Sequence, residues 1–224
     1  EPSSASARWR VCEWGVIAGY AVLTIAFPWL YSGSYIDEYL HITAGAALFA
    51  GSGLPEVYVG QEYTRGLPIS VLVGVLMGLL GQSLFVAKLV PVLLALVSGF
   101  FYVLLARLLV QSVCVRIMLY LVFCLNPLLL FQHFYIRAYV LYEAVLLAVA
   151  YCACRAIAAV RQGNAGQVAG FTGGIIGLTL FTFFFSHHSS AYPVVLAGAI
   201  ALAWVYVVER PQDDRAGWVL RLWQ

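Results

Sequence analysis

Two adjacent carboxylates, Asp37 and Glu38, follow the first long apolar run of a 224-residue chain in which only 10% of residues are charged and 63% are hydrophobic. The segment Glu38–Ala50 reads as a short helix, which sets Asp37 at its N-terminus. Exposed N–H groups and the helix dipole hold a carboxylate ionised in that place. An ionised carboxylate can take the proton of a hydroxyl nucleophile. A lone Asp there is equally well explained as a helix cap. The adjacent Glu38 and the more distant Arg65 favour chemistry.

Other reactive groups recur at the ends of apolar runs. His41, Glu56, Glu62 and Arg65 share the segment after Asp37; Lys88, then Arg137, Tyr139 and Glu143, then His187, His188 and Tyr192 follow. Ionisable groups at membrane depth are costly and are read first as functional. Arg65, Lys88 and Arg137 would form a cationic cradle for a phosphate at headgroup level. A buried Lys88–Glu143 ion pair that fixes packing competes with that reading. No cofactor follows from these residues. A divalent metal on His187 and His188 would need carboxylates from the long loop. Phe181, Phe183, Phe184 and Phe185 read as an interfacial belt, and the same belt accounts nearly as well for Tyr35, Tyr39, Tyr58 and Tyr63 as stacking on a sugar does.

The elements that must position these groups are membrane helices. A mean hydropathy of +0.91 excludes an ordinary soluble domain. The chain is expected to be an all-α polytopic membrane protein, a single membrane module over residues 1–224, with about six transmembrane helices: Val11–Tyr31, Ser83–Leu109, Ile117–His133, Ala138–Val160, Val168–Ser186 and Ala191–Val208. Short juxtamembrane helices, about 38–50 and 67–81, lie in a long first outer loop, residues 32–82. Leu67–Gly81 reaches only about 22 Å at about 1.5 Å per residue, short of a hydrocarbon core of about 30 Å. If it does not cross, nine basic residues lie inside (Arg8, Arg10, Arg107, Arg116, Arg155, Arg161, Arg210, Arg215, Arg221) and three outside (Arg65, Lys88, Arg137). If it crosses, the split becomes four to eight. The positive-inside rule selects the first arrangement, with both termini cytoplasmic. Ser70, Gly74, Gly78 and Gly81 form a small-residue stripe suited to close helix packing.

Val11–Tyr31 is longer than a signal-peptide core and lacks a small-residue cleavage site, so it is expected to remain as a span. Trp218–Gln224 turns apolar again, as though a further span were beginning, and the sequence reads as a fragment of a longer chain. The five cysteines, Cys12, Cys114, Cys124, Cys152 and Cys154, fall in spans or at their inner ends and are read as apolar fillers rather than disulfide partners.

The order of motifs resembles the N-terminal membrane module of the GT-C glycosyltransferases, nearest the protein O-mannosyltransferase and aminoarabinose-transferase branch. The residues that carry the likeness run from Asp37-Glu38-Tyr39 to Gly51-Ser52-Gly53, then Gly66-Leu67-Pro68 and Phe85-Val86-Ala87-Lys88-Leu89-Val90-Pro91. Asn126-Pro127, Ile136-Arg137-Ala138-Tyr139-Val140-Leu141 and Ser186-His187-His188 complete it. The resemblance implies a polyprenyl-phosphate-linked sugar donor and an acceptor glycan, lipid or protein at the non-cytoplasmic face. It implies Asp37 as the base and Lys88 where relatives usually carry Arg. Such relatives continue with more spans and often a soluble domain, so three readings of acceptor recognition stay open here: absent, supplied by a partner membrane subunit, or truncated away with a further segment.

The expected reaction is an inverting sugar transfer. Asp37 and Glu38 are the catalytic pair, and Arg65, Lys88, Arg137, Tyr139, Glu143, His187 and His188 bind substrate. The expected setting is a bacterial inner membrane or an endoplasmic reticulum membrane, with membrane lipids as partners and no nucleic acid. A non-catalytic GT-C-like scaffold or lipid-binding subunit is the first alternative. A small transporter or flippase relaying through Glu143 and Lys88 is the second, although no inverted repeat is visible.

Overall fold

The computed structural model describes residues 4–30, 36–54, 56–58, 61–62, 64, 66–185 and 192–208. Among the described residues, nine α-helices run in order: α1 (Ser4–Leu30), α2 (Ile36–Phe49), α3 (Leu67–Leu80), α4 (Leu84–Leu109), α5 (Val113–Leu125), α6 (Pro127–Phe134), α7 (Ala138–Arg161), α8 (Ala165–Phe185) and α9 (Tyr192–Ala203), the last continuing into a π-helical turn, Trp204–Val208. A small antiparallel hairpin, β1 (Glu56–Tyr58) with β2 (Gln61–Glu62), lies between α2 and α3. No sequence signal had pointed to it.

Local chemistry sets the helix ends. Ser83 caps α4 by accepting the Val86 N–H at 3.2 Å. Asn126 caps α6 by accepting from Leu128 N at 2.9 Å and Leu129 N at 3.4 Å, with Pro127 at the first helical position. The cap and the proline interrupt what would otherwise be one helix, and α5 and α6 meet at a bend of 49°.

Among the described residues, three helices are long and apolar enough to cross a membrane, α4, α7 and α8; the bent α5–α6 pair makes a fourth if counted as one span. Six straight spans are therefore not supported. The expected third span is the one broken at Asn126-Pro127. The expected sixth is reduced to the 12 residues of α9 before the helix loosens into its π-turn. At about 1.5 Å per residue those 12 cover about 18 Å. The expected first span, Val11–Tyr31, lies in α1 as far as Leu30, but α1 is not among the helices long and apolar enough to cross.

The core runs between α3, α4 and α7, where Ile69, Val73, Val90, Ile136, Val145 and Val149 are buried, and extends to Ile175 on α8 and Val194 on α9. Helices α2 and α3 lie against each other through glycine. A Cβ placed on Gly45 of α2 would stand 2.7 Å from Gly74 N, and one on Gly74 would stand 2.8 Å from the Gly45 carbonyl carbon. One turn on, a Cβ on Gly78 would run into the Phe49 ring. The small-residue stripe thus serves close packing at Ser70, Gly74 and Gly78. Gly81 instead ends α3 at φ 105°, a conformation that favours glycine.

Gly74→Leu is expected to lower stability by about 1–3 kcal/mol, the usual cost of overpacking a close contact. Gly170→Ala, which meets nothing within 4 Å, should stay within about 0.5 kcal/mol. Unfolding of the two variants in detergent, followed by circular dichroism, checks the contrast.

Candidate active site

Asp37 and Glu38 lie in the first turn of α2, which starts at Ile36. Asp37 is therefore inside the helix rather than its cap, which corrects the sequence expectation. The two side chains part company at once. Glu38 is fully buried, and its Oε1 accepts the Ile136 N–H at 3.1 Å. The Asp37 side chain keeps 49% exposure, and its Oδ2 lies 3.0 Å from Arg137 Nη2.

Both partners come from the sharp link between α6 and α7. There the Arg137 N–H donates to Tyr135 O at 2.8 Å, closing a three-residue turn about Ile136. This turn leaves the Ile136 N–H pointing to Glu38. It also starts α7 with Arg137, whose guanidinium carbon stands 6.0 Å from the Tyr135 ring centre. Tyr139 follows in the first turn of α7, partly exposed.

One turn along α2 from Asp37, His41 is buried, and its Nδ1 is 2.9 Å from Ser70 Oγ on α3. Gly66, at φ 59°, makes room for it: a Cβ there would lie 3.1 Å from His41 Cε1 and 3.0 Å from Ala138 Cβ. The imidazole is thus packed beside the start of α7. Lys88, one turn into α4, is also buried and is not without a partner.

The competing reading, a Lys88–Glu143 pair, gives way to another partner for Glu143. Glu143 meets His133 Nε2 at 3.0 and 3.1 Å through its two oxygens. His133 Nδ1 lies 3.3 Å from the Tyr20 hydroxyl, which also donates to Ala95 O at 3.1 Å. This buried line joins α1, α4, α6 and α7 just below the Arg137 turn. Sequence reasoning passed over His133; His41 it named among the reactive groups without giving it a role. A histidine closing an apolar run is the signal that would have found His133.

Arg65, His187 and His188 lie outside the described residues. Among the described residues, no three His, Cys, Asp or Glu side chains converge as a metal site requires. Comparison of the chain with protein families, with curated proteins and with solved structures returns no match.

Magnitudes separate the two acids. An exposed ion pair such as Asp37–Arg137 is worth about 0.2–1 kcal/mol. Removing the Glu38 carboxyl orphans a buried N–H, at about 1–3 kcal/mol. Glu38 is thus the positioning residue, and Asp37 is the acid the fold can spare. Glu38→Ala is expected to cost about 2 kcal/mol, while Asp37→Asn stays within about 1 kcal/mol. Thermal unfolding of purified protein in one detergent gives the comparison.

Proposed function

We propose that the chain is a membrane glycosyltransferase of GT-C type, passing a sugar from a polyprenyl-phosphate donor to an acceptor hydroxyl or amine at the non-cytoplasmic face. The observation that carries this reading is a half-exposed carboxylate held 3.0 Å from a guanidinium at the ends of apolar helices. A base and an anion-binding group stand within one substrate's reach.

In this mechanism the donor phosphate competes with Asp37 for Arg137. A phosphate accepts the planar guanidinium fork in paired, charge-assisted hydrogen bonds. The released Asp37 carboxylate then takes the proton of the acceptor as its oxygen or nitrogen attacks the anomeric carbon. The bond from that carbon to the phosphate oxygen breaks, and the electron pair leaves with the phosphate, where Arg137 stabilises it. The anomeric centre inverts. Glu38 acts at one remove by holding the turn that presents Arg137. Lys88, Tyr139, Arg65, His187 and His188 are assigned to donor phosphate and sugar, and Glu143 to holding His133. The acceptor is a glycan, a lipid or a protein. A partner membrane subunit supplies its recognition.

Purified protein in bilayer discs, given a radiolabelled polyprenyl-phosphate sugar and a membrane extract as acceptor source, should transfer label. Asp37→Asn should lower the rate by about 10²–10⁴-fold, the range for loss of a general base. Arg137→Lys should lower it while leaving folding intact, since an ammonium lacks the fork. Transfer by the Asp37→Asn variant at the wild-type rate would remove Asp37 from the mechanism. Donor binding without any transfer would make the chain a lipid-binding subunit.

A further inference from the structure

At the opposite end of the bundle, α1, α4 and α5 enclose a cavity of about 330 Å³, within the range of about 300–1,000 Å³ usual for small-ligand sites. Its walls are carbon. Three tyrosines line it, and each hydroxyl is already committed: Tyr20 donates to Ala95 O at 3.1 Å, Tyr102 to Leu119 O at 3.2 Å and Tyr120 to Glu13 Oε1 at 3.1 Å. Only ring faces and aliphatic groups remain to meet an occupant. The cavity reaches the lipid-facing surface, because Trp14 and Phe100 both line it and both are more than half exposed, at 57% and 58%.

Its rim carries surplus positive charge. Two arginines converge on one buried acid, Glu13. Arg116 is fully committed there: Nε and Nη2 donate to the two Glu13 oxygens at 2.9 and 3.2 Å, and Nη1 donates to Val110 O and Gln111 O at 3.0 and 3.1 Å. Arg107, which lines the cavity, uses only Nε on Glu13, at 3.3 Å, and stacks 4.5 Å above the Trp14 ring. Its two terminal nitrogens make no protein hydrogen bond among the described residues, and its side chain is 34% exposed. Arg8 and Arg10, both exposed, lie on the same end of α1. One carboxylate therefore faces a locally cationic rim above an apolar hollow. Basic pockets between membrane helices on the cytoplasmic side select anionic lipid headgroups.

We propose that this cavity binds an anionic glycerophospholipid of the cytoplasmic leaflet, one acyl chain between α1, α4 and α5 and its phosphate on the terminal nitrogens of Arg107. The site is distinct from the Asp37–Arg137 pair. Lys88 and Arg107 stand near the two ends of α4, about 28 Å apart at about 1.5 Å per residue, so this site does not depend on the transferase reading.

Native mass spectrometry of the whole chain, exchanged into mixed micelles with phosphatidylglycerol or phosphatidylcholine, tests it. Wild type should retain phosphatidylglycerol about fivefold more than phosphatidylcholine, the ratio expected for one arginine beside a headgroup of net negative charge rather than one whose phosphate is offset by choline. Arg107→Gln should abolish that preference, and Ala21→Phe, which fills the cavity from α1, should abolish retention of both. A measurement on the unaltered protein guards against misfolding of either variant: brominated phosphatidylglycerol should quench tryptophan emission more than brominated phosphatidylcholine, and the excess should vanish in Trp14→Phe. Equal retention of the two lipids by wild type, or equal quenching, would overturn the proposal.

Discussion

The hydrogen bond from the Ile136 N–H to the buried Glu38 carboxyl is the constraint on which the candidate site depends. It joins residues 98 positions apart in the chain. An apolar surround offers no water to a stranded amide, so the turn between α6 and α7 is tenable only with an internal acceptor. Glu38 supplies that acceptor from the first turn of α2. In doing so it fixes the height at which α7 begins, and hence the place from which Arg137 reaches Asp37. The glycine contact between α2 and α3 and the His41–Ser70 bond hold α2 in register for it.

The same rule of internal satisfaction operates at three depths. At one end Glu13 is saturated by Arg116 and Tyr120; further along, Tyr20, His133 and Glu143 satisfy one another; at the other end Glu38 meets a backbone amide. Each set ties at least two helices together, and each is nearly closed to solvent. What remains partly open is then informative. Asp37 and Arg107, each beside one of these sets, keep substantial exposure, one at either end. Charge left accessible in a membrane protein, after its neighbours have been neutralised, is charge available to a ligand.

Much of the local structure was legible in the sequence. The two outer-loop helices were expected at about 38–50 and 67–81 and occur at Ile36–Phe49 and Leu67–Leu80. The stripe of Ser70, Gly74 and Gly78 packs as small residues in membranes do. Apolar length alone overcounted the spans, because it cannot weigh a cap and a proline in mid-run: Asn126-Pro127 was seen as a helix end, but the 49° bend it produces was not. The acids were found by type and misjudged in placement. Asp37 looked like a cap because helix starts cannot be read to within one or two residues. Glu143 was offered to Lys88 because both are charged and near in depth, whereas the residue that meets it, His133, sits only ten positions away across a break the sequence does not measure. Pairings between distant segments, Glu38 with Ile136 or Tyr20 with His133, leave no local signature at all.

The weakness of the Asp37–Arg137 pair is what suits it to exchange. Two charges near a protein surface attract by about 4 kcal/mol at 4 Å in an effective dielectric of about 20, and side-chain entropy and solvent reduce the net to about 1 kcal/mol or less. An incoming phosphate, able to accept two parallel N–H bonds from one guanidinium, exceeds that easily. The Glu13–Arg116 pair could not be exchanged in this way, since separating it would strand a buried acid at several kcal/mol. The chain thus places a firm ion pair where helices must be held and a labile one where the proposed transfer would need a proton acceptor set free. Burial, rather than the identity of the paired residues, makes the difference between them.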